Sequence, residues 1–258
     1  MDLIAIFNDT MQRCASDEML RESCRKTRER QQFYKAGKAV CAHERPFSTN
    51  IIVSKKRSFD AARAYKGERI GVLNFANSFS PGGGVVYGAR AQEESLCRVS
   101  TLYVALTADE MLRDFYQAHR AAFDHIATDD VIFSPEITVF KDDNTLSLLP
   151  PSEWFCADVL TCAAPDLNDV SMSEDDLFAL HKKRWTQILS IAEENGCTVL
   201  ILGAFGCGAF RNPPEVVAKA AKTVLQEFAG AFKTVEFAVA CKNDWTNYEV
   251  FRTILGES

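Results

Sequence analysis

The sequence lacks the features that would place the chain among membrane proteins or nucleic-acid coats. No apolar run among its 258 residues approaches the ~20 residues that a membrane-spanning helix needs. The opening stretch, MDLIAIFNDTMQRC, has no basic leader and no small-residue cleavage site, so we expect no signal peptide. Basic residues are not in excess, since 29 Lys and Arg stand against 35 Asp and Glu. We therefore expect neither a membrane nor a sequence-specific nucleic acid as a partner.

Patterns typical of metal sites are missing as well. The nine cysteines are irregularly spaced without a CxxC pair, and the four histidines form no HxxxH cluster. Zinc sites usually show tight paired spacings. We interpret the cysteines as reduced, mostly buried thiols of a cytoplasmic protein, and we expect no metal and no cofactor.

The sequence does contain short apolar runs that alternate with helical patterns. Strands are predicted at residues 50–54, 69–75, 131–133, 137–140, 157–162, 198–202 and 235–239. Helices are predicted at residues 9–38, 57–66, 92–106, 109–119, 174–195, 213–229 and 248–255. This alternation predicts an α/β fold with a mixed, largely parallel sheet that is buried on both faces. Ligands of such sheets bind beyond the carboxyl ends of the strands.

Two glycine-rich segments follow predicted strands. They read Asn74-Phe-Ala-Asn-Ser-Phe-Ser-Pro-Gly-Gly-Gly84 and Gly203-Ala-Phe-Gly-Cys-Gly-Ala-Phe210. The backbone N–H groups of such turns can approach an anion closely. Neither segment continues as a Walker A loop or as a GxGxxG fingerprint. Each alone is compatible with a simple tight turn, but the two together favour a phosphate-containing ligand.

A polar triplet, Gln92-Glu93-Glu94, follows the first of these segments at the predicted start of a helix. Acidic residues are common in a first helical turn because they interact favourably with the helix dipole, so a structural role is one interpretation. Beside a glycine-rich loop, the triplet can also serve a ligand site. Adjacent helical residues project ~100° apart, so the two carboxylates cannot perform the same task.

Together these segments resemble the signature of the microbial-type poly(ADP-ribose) glycohydrolases, which are macrodomain proteins. Here the signature is Pro81-Gly-Gly-Gly84, seven further residues, and then Gln92-Glu93-Glu94. Residues 72–77, 95–98, 159–165 and 203–210 are similar to further family blocks in the same order. The resemblance implies a three-layer α/β/α macrodomain over residues 46–258, on which residues 1–45 pack as an N-terminal helical extension.

One position departs from the family pattern. The family often has Asn directly before Pro-Gly-Gly-Gly, where this sequence has Ser80. Asn77 lies three residues earlier and is the candidate for the ribose contact.

The resemblance implies an enzyme that hydrolyses the ribose–ribose O-glycosidic bond of poly(ADP-ribose) and releases ADP-ribose. Glu94 would be the general acid that protonates the leaving 2′-hydroxyl, and then the base toward water. Glu93 completes the expected catalytic pair and, with Gln92, would hold ribose hydroxyls. A general acid at neutral pH needs a raised pKa, which a partly desolvated cleft favours.

The expected substrate contacts lie in both glycine-rich loops. Phe210 would pack on the terminal ribose, and the segment 55–61 would lie on the adenine side. A nucleophilic role for Cys207 is disfavoured, because no histidine is near it in the sequence. The residues expected to contact the substrate are Asn77, Gly82, Gly83, Gly84, Gln92, Gly206, Cys207, Gly208, Ala209 and Phe210.

Alternative functions stay open on the sequence alone. A macrodomain can bind ADP-ribose without cutting it, although such a reader needs no second acid. The fold also permits hydrolysis of another linkage, such as an ester on an ADP-ribosylated protein or O-acetyl-ADP-ribose. A phosphotransferase is disfavoured, because the loops offer neither a phosphate-binding Lys nor carboxylates for Mg²⁺.

Overall fold

The computed structural model describes residues 2–37, 45–241 and 243–256. Seven strands in these ranges form one sheet in the order β1–β4–β5–β3–β6–β7–β2. Strands β5, β3, β6, β7 and β2 are parallel neighbours, whereas β4 runs antiparallel to both β5 and β1. The strands are β1 (Gln32–Tyr34), β2 (Asn50–Ser54), β3 (Ile70–Phe75), β4 (Val131–Val139), β5 (Phe155–Cys162), β6 (Val199–Leu202) and β7 (Thr234–Ala238).

Helices cover both faces of this sheet. Successive residues of β3 point to opposite faces, so Val72 packs in one hydrophobic cluster and Leu73 in the other. The largely parallel, three-layer α/β/α arrangement that the sequence predicted is thus confirmed. The helices are α1 (Leu3–Ser16), α2 (Glu18–Arg30), α3 (Ser58–Arg63), α4 (Gln92–Val99), α5 (Leu102–Leu106), α6 (Asp109–Met111), α7 (Ala118–Ala122), α8 (Glu174–Glu194), α9 (Pro214–Glu227) and α10 (Thr246–Leu255). None of them combines the length and the apolar character that crossing a membrane requires.

The N-terminal region differs from the single helix predicted over residues 9–38. Helix α1 begins earlier, because the Asp2 carboxylate accepts the N–H groups of Ile4 and Ala5. It ends at Ser16, because the extended backbone of Asp17 breaks the helix, and the Asp17 carboxylate caps α2. The chain then forms β1, which pairs with the edge of the sheet. The end of the predicted helix, from residue 38, lies outside the described residues.

Two further differences from the prediction involve β4. The strands predicted at 131–133 and 137–140 are one strand, bent by a bulge between Ser134 and Ile137. The helix predicted over 92–106 divides into α4 and α5 at Ser100, whose backbone is extended. There Thr101 donates its N–H to the Thr138 carbonyl of β4, and this bond turns the chain.

Helix α1 packs directly on α4, which carries the polar triplet. The Thr10 hydroxyl donates to the carbonyl of Arg98 in the last turn of α4. The buried Lys141 ammonium donates to the Ile6 carbonyl and forms an ion pair with Asp9 at 2.8 Å. The N-terminal helices therefore support the element on which Glu94 lies.

A buried arginine joins helix α8 to the loops at the carboxyl end of the sheet. The Arg184 side chain is fully buried and donates to the carbonyls of Ala163 and Ile126. It also pairs with Asp129 at 3.1 Å. Without the guanidinium, two carbonyls and one carboxylate would lose their partner.

We predict that Arg184→Met lowers the free energy of unfolding by about 3 kcal/mol, because breaking a buried ion pair leaves its partners unsatisfied. The measurement is urea unfolding at unchanged pH. Lys183→Met is the matched control, since Lys183 is the exposed neighbour on the same helix. Equal stability of the two variants would contradict the structural role of Arg184.

Candidate active site

A cavity of about 410 Å³ opens at the carboxyl ends of β3, β6 and β7. It is the size of a small-molecule site. One wall is the start of α4, including Glu93 and Glu94, and the opposite wall is Val239 and Ala240 after β7. The loop after β6 lies between them. The sequence-predicted residues that line the cavity are Asn77, Gln92, Glu93, Glu94, Gly206, Gly208, Ala209 and Phe210.

The Glu94 carboxyl group is held by one oxygen and unpaired at the other. Its Oε1 accepts the N–H of Gly84 at 2.9 Å. Its Oε2 is buried and has no hydrogen-bond partner within the described ranges. A buried carboxylate oxygen without a partner is costly, and it is free to bind a ligand hydroxyl or to exchange a proton with one.

The triple-glycine turn packs against this carboxyl group. Gly83 has φ +57°, and a Cβ on it would lie 2.5 Å from Glu94 Oε1 and 3.2 Å from Glu93 Oε2. A side chain on Gly82 would meet the ring of Tyr103 at 2.7 Å. Gly82, Gly83 and Gly84 are not among the residues that line the cavity. In this structure they enclose the carboxyl groups and leave room for them.

Glu93 binds both the end of β3 and the loop that follows it. Its Oε2 accepts the N–H of Asn77 at 2.8 Å, and its Oε1 accepts the Asn74 side-chain amide at 3.2 Å. Burial raises the pKa of Glu93 to about 8, and the neighbouring Glu94 carboxylate adds to the shift. Glu93 is therefore mostly protonated at neutral pH.

Gln92 joins α4 to the end of β3. Its Oε1 accepts the N–H of Phe75 at 2.9 Å, and its Nε2 donates to the Leu73 carbonyl and the Ser58 hydroxyl. Both amide protons are thus used within the protein. A ligand can reach the side chain only at the remaining lone pair of its oxygen.

Asn77 shapes the turn before the glycines. Its Oδ1 accepts the N–H groups of Phe79 and Ser80 at 2.8 and 2.9 Å. Its Nδ2 donates to none of the described residues and so is available to a ligand. The position where the family often has Asn, Ser80, is exposed.

The loop after β6 is shaped by a buried asparagine that the sequence did not single out. Gly206 has φ +76°, and a Cβ there would lie 2.6 Å from both Ala164 and the Asn212 side chain. The Asn212 amide donates to the carbonyls of Gly206 and Pro165. Burial lowers the pKa of His181 to about 4, so its neutral ring donates Nε2–H to Asn212 Oδ1 at 2.8 Å.

Cys207 does not line the cavity. Its thiol donates to the Phe205 carbonyl at 3.7 Å, and burial raises its pKa. A protonated thiol is a poor nucleophile, in agreement with the interpretation that Cys207 is not catalytic. Within the described ranges, no group of three or more His, Cys, Asp or Glu side chains could hold a metal ion.

A second charged cluster lines the cavity beside α4 and was missed in the sequence. Arg57 pairs with the buried Asp143 at 3.0 Å, and the Ser95 hydroxyl donates to the same carboxylate at 2.8 Å. These three residues lie far apart in the sequence and form no short motif. Within the segment expected on the adenine side, Arg57 and Ser58 line the cavity.

We predict that Glu93→Gln makes stability less dependent on pH. The folded carboxyl group has a raised pKa, so its contribution to stability is complete below its unfolded pKa and is lost as the pH rises through about 8. Between about pH 6 and pH 9 the wild-type melting temperature should fall by roughly 5 °C more than that of the variant. Gln retains an acceptor for the Asn77 N–H.

The control for this prediction is Glu174→Gln, which removes an exposed carboxylate on α8. It should follow the wild-type dependence, with melting followed by differential scanning fluorimetry. Parallel curves for wild type and Glu93→Gln would show that Glu93 is ionised in the folded protein.

Comparison with known proteins agrees with this geometry. Residues 3–142, more than half of the chain, match the family described as microbial-type PARG, catalytic domain. No curated protein sequence matches the chain.

Solved structures match over nearly the whole chain. The poly(ADP-ribose) glycohydrolase (PARG) from Thermomonospora curvata is 28% identical, with a TM-score of 0.89 over 98% of this chain and 99% of that one. Its complex with the inhibitor ADP-HPD is 27% identical, with a TM-score of 0.86 over 97% and 98%. The PARG from Deinococcus radiodurans in complex with ADP-ribose is 30% identical, with a TM-score of 0.77 over 90% and 96%. This chain belongs to the microbial-type PARG catalytic domain family.

Proposed function

We propose that Glu94 is the general acid and base of a poly(ADP-ribose) glycohydrolase reaction in the cavity. The chain is a hydrolase of poly(ADP-ribose) by virtue of its family. The observation that supports the role of Glu94 is its buried, unpaired Oε2 at the cavity wall. The substrate is the polymer or an ADP-ribosylated protein, and ADP-ribose is the product.

The strand order suggests how ADP-ribose lies in the cavity. Along the cavity, Glu94 and Asn77 lie on the β3 side, and Val239 and Asn247 lie on the β7 side. The glycine-rich loop after β6 lies between them. ADP-ribose has its diphosphate between two riboses. The terminal ribose therefore lies at Glu94, the diphosphate lies along residues 204–210, and the adenosine points toward β7. Phe210, at the edge of the loop, packs on the terminal ribose.

The reaction breaks the bond between the anomeric carbon and the 2′-oxygen of the next unit. Protonated Glu94 donates from Oε2 to this oxygen, which leaves as a hydroxyl group. Water then adds to the oxocarbenium-like carbon and returns a proton to Glu94. In this scheme Gly84 holds Oε1 and thereby aims Oε2 at the substrate.

Glu93 acts beside Glu94 by positioning. Its oxygens bind Asn74 of β3 and the Asn77 N–H of the loop that follows, so it fixes this loop and orients the Asn77 amide toward the ribose. Because Glu93 is mostly protonated at neutral pH, it adds little negative charge next to an anionic ligand. Gln92 attaches the end of β3 to α4 through the Phe75 N–H.

The N-terminal extension of residues 1–45 packs on the catalytic domain of residues 46–258 and also adds β1 to the edge of its sheet. Contacts of α1 with Arg98 and Lys141 support this arrangement. The eight cysteines within the described ranges are all free thiols, which favours a reducing, cytoplasmic location.

We predict that Glu94→Gln lowers turnover of poly(ADP-ribose) by about a hundredfold or more, because the amide cannot supply the proton. Its affinity for ADP-ribose should stay within about tenfold of wild type, since the Gly84 contact is retained. Chromatography of the products measures turnover, and the ligand-induced rise in melting temperature measures binding.

The outcomes of this experiment distinguish the possible roles of Glu94 and the possible functions of the protein. Loss of binding together with turnover would make Glu94 a ligand contact. Intact polymer from the wild type, with measurable ADP-ribose binding, would favour a reader or a hydrolase of another ADP-ribosyl linkage. Absence of a thermal shift at millimolar ADP-ribose would contradict the proposed site.

We predict that Gly83→Ala lowers turnover about a hundredfold, because its methyl group displaces the Glu94 carboxyl group. Gly67→Ala is the matched control. Gly67 also has positive φ, but a Cβ there would meet no atom within 4 Å. Both variants carry the backbone cost, and only Gly83→Ala moves the acid. Equal activities would refute the positioning role of Gly83, and a retained ADP-ribose thermal shift would confirm that the variant is folded.

A further inference from the structure

Three aromatic rings contact one another outside the cavity, and none of them has a role in the mechanism above. The rings of Phe79 and Phe123 have centroids 6.2 Å apart, and His125 makes edge contacts with both at 5.9 and 5.5 Å. We call Phe79, Phe123 and His125 the aromatic rim cluster. Its members come from the loop after β3 and from the segment after α7.

Phe123 is unusual in both exposure and backbone. Its side chain is 74% exposed, although burying an aromatic side chain is strongly favourable. Its φ of +47° lies in the left-handed region, which side chains other than glycine adopt rarely. The left-handed backbone ends α7, where the Phe123 N–H donates to the His119 carbonyl at 2.9 Å, so the exposed ring is the feature that the fold does not explain.

The cluster is connected to both loops of the proposed active site. On one side, Phe79 donates its N–H to Asn77 Oδ1 and lies four residues before Gly83, which packs on Glu94. The exposed Arg120 donates to the Phe79 carbonyl.

On the other side, short hydrogen bonds lead from His125 to the loop after β6. The His125 carbonyl accepts the N–H of Asp166 at 2.8 Å, and the next residue, Leu167, donates to the Phe210 carbonyl at 3.1 Å. The Asn168 amide donates to the Ala209 carbonyl at 2.8 Å. The rings therefore lie at the edge of the site where the two loops approach each other.

We propose that the aromatic rim cluster binds the adenine of the ADP-ribose unit that leaves, the one joined to the unit in the cavity. This inference rests on the proposed function. The leaving 2′-oxygen belongs to an adenosine ribose, so an adenine always lies one sugar away from the bond at Glu94. The π faces of bases stack on exposed aromatic rings irrespective of sequence.

The positive charge of Arg120 beside the cluster is complementary to the phosphates of the leaving ADP-ribose unit. Arg120 uses one nitrogen for the Phe79 carbonyl, and its remaining N–H groups donate to none of the described residues. A guanidinium group there can bind the phosphates of the leaving unit. A purely apolar partner would have no use for this cation.

The test is Phe123→Ala, assayed on two substrates. On poly(ADP-ribose), KM should rise roughly fivefold to a hundredfold, the range that loss of one stacked base produces. On a single ADP-ribose unit with an aryl leaving group, KM and kcat should stay at wild-type values, because no second adenine is present. Phe123→Trp should restore the polymer KM, and affinity for free ADP-ribose should be unchanged in both variants.

Met19→Ala is the matched control, since Met19 is another largely exposed apolar side chain, on α2. It should leave KM and kcat unchanged on both substrates. Unchanged polymer KM in Phe123→Ala would overturn the inference while leaving the glycohydrolase proposal intact. Failure of the wild type to cut polymer would overturn the glycohydrolase proposal itself. Loss of self-association in Phe123→Ala, measured by sedimentation, would instead make the cluster a contact between copies of the chain.

Discussion

The candidate active site depends on placing two adjacent carboxyl groups in the interior beneath a turn that has no side chains. A Cβ on Gly83 would lie 2.5 Å from Glu94 Oε1, closer than real Cβ atoms come, and 3.2 Å from Glu93 Oε2. Because the turn has no side chains, it binds the acid through its backbone: the Gly84 N–H donates to one Glu94 oxygen. Only glycine combines this close approach with positive φ, so the spacing between the turn and the acids is a geometric requirement.

The polar triplet at the start of α4 works as a clamp between the helix and strand β3. Gln92 binds the strand end at Leu73 and Phe75, and Glu93 binds the loop that follows at Asn77. Each of these bonds is buried or half-buried, where an unmade hydrogen bond is costly. Of the three residues, Glu94 is the one that keeps a carboxyl oxygen without a hydrogen-bond partner in the described part of the chain.

The sequence predicted those parts of the site that are formed by residues adjacent in the chain. The apolar runs of β3 and β6 and the glycine-rich segments after them are local patterns, and each lies at the cavity or against its acids. Other parts depend on contacts between distant residues. The pairing of Arg57 with Asp143, and the hold of Asn212 on Gly206, leave no local pattern that could be read. The break at Asp17 was missed because both flanking segments have helical periodicity, and one cap decides the boundary.

The strand that carries the site has its neighbours far along the chain. In register, Phe75 of β3 pairs with Cys162 and Val72 pairs with Ile201. Such non-local parallel pairing makes folding slow, because long loops must close before any contact rewards them. During synthesis, a chain that has emerged only as far as α4 carries Glu93 and Glu94 as ordinary solvated carboxylates. Their buried environment appears only after β5 and β6 have been made and docked, so an incomplete chain has the two carboxyl groups without the enclosure of the candidate site.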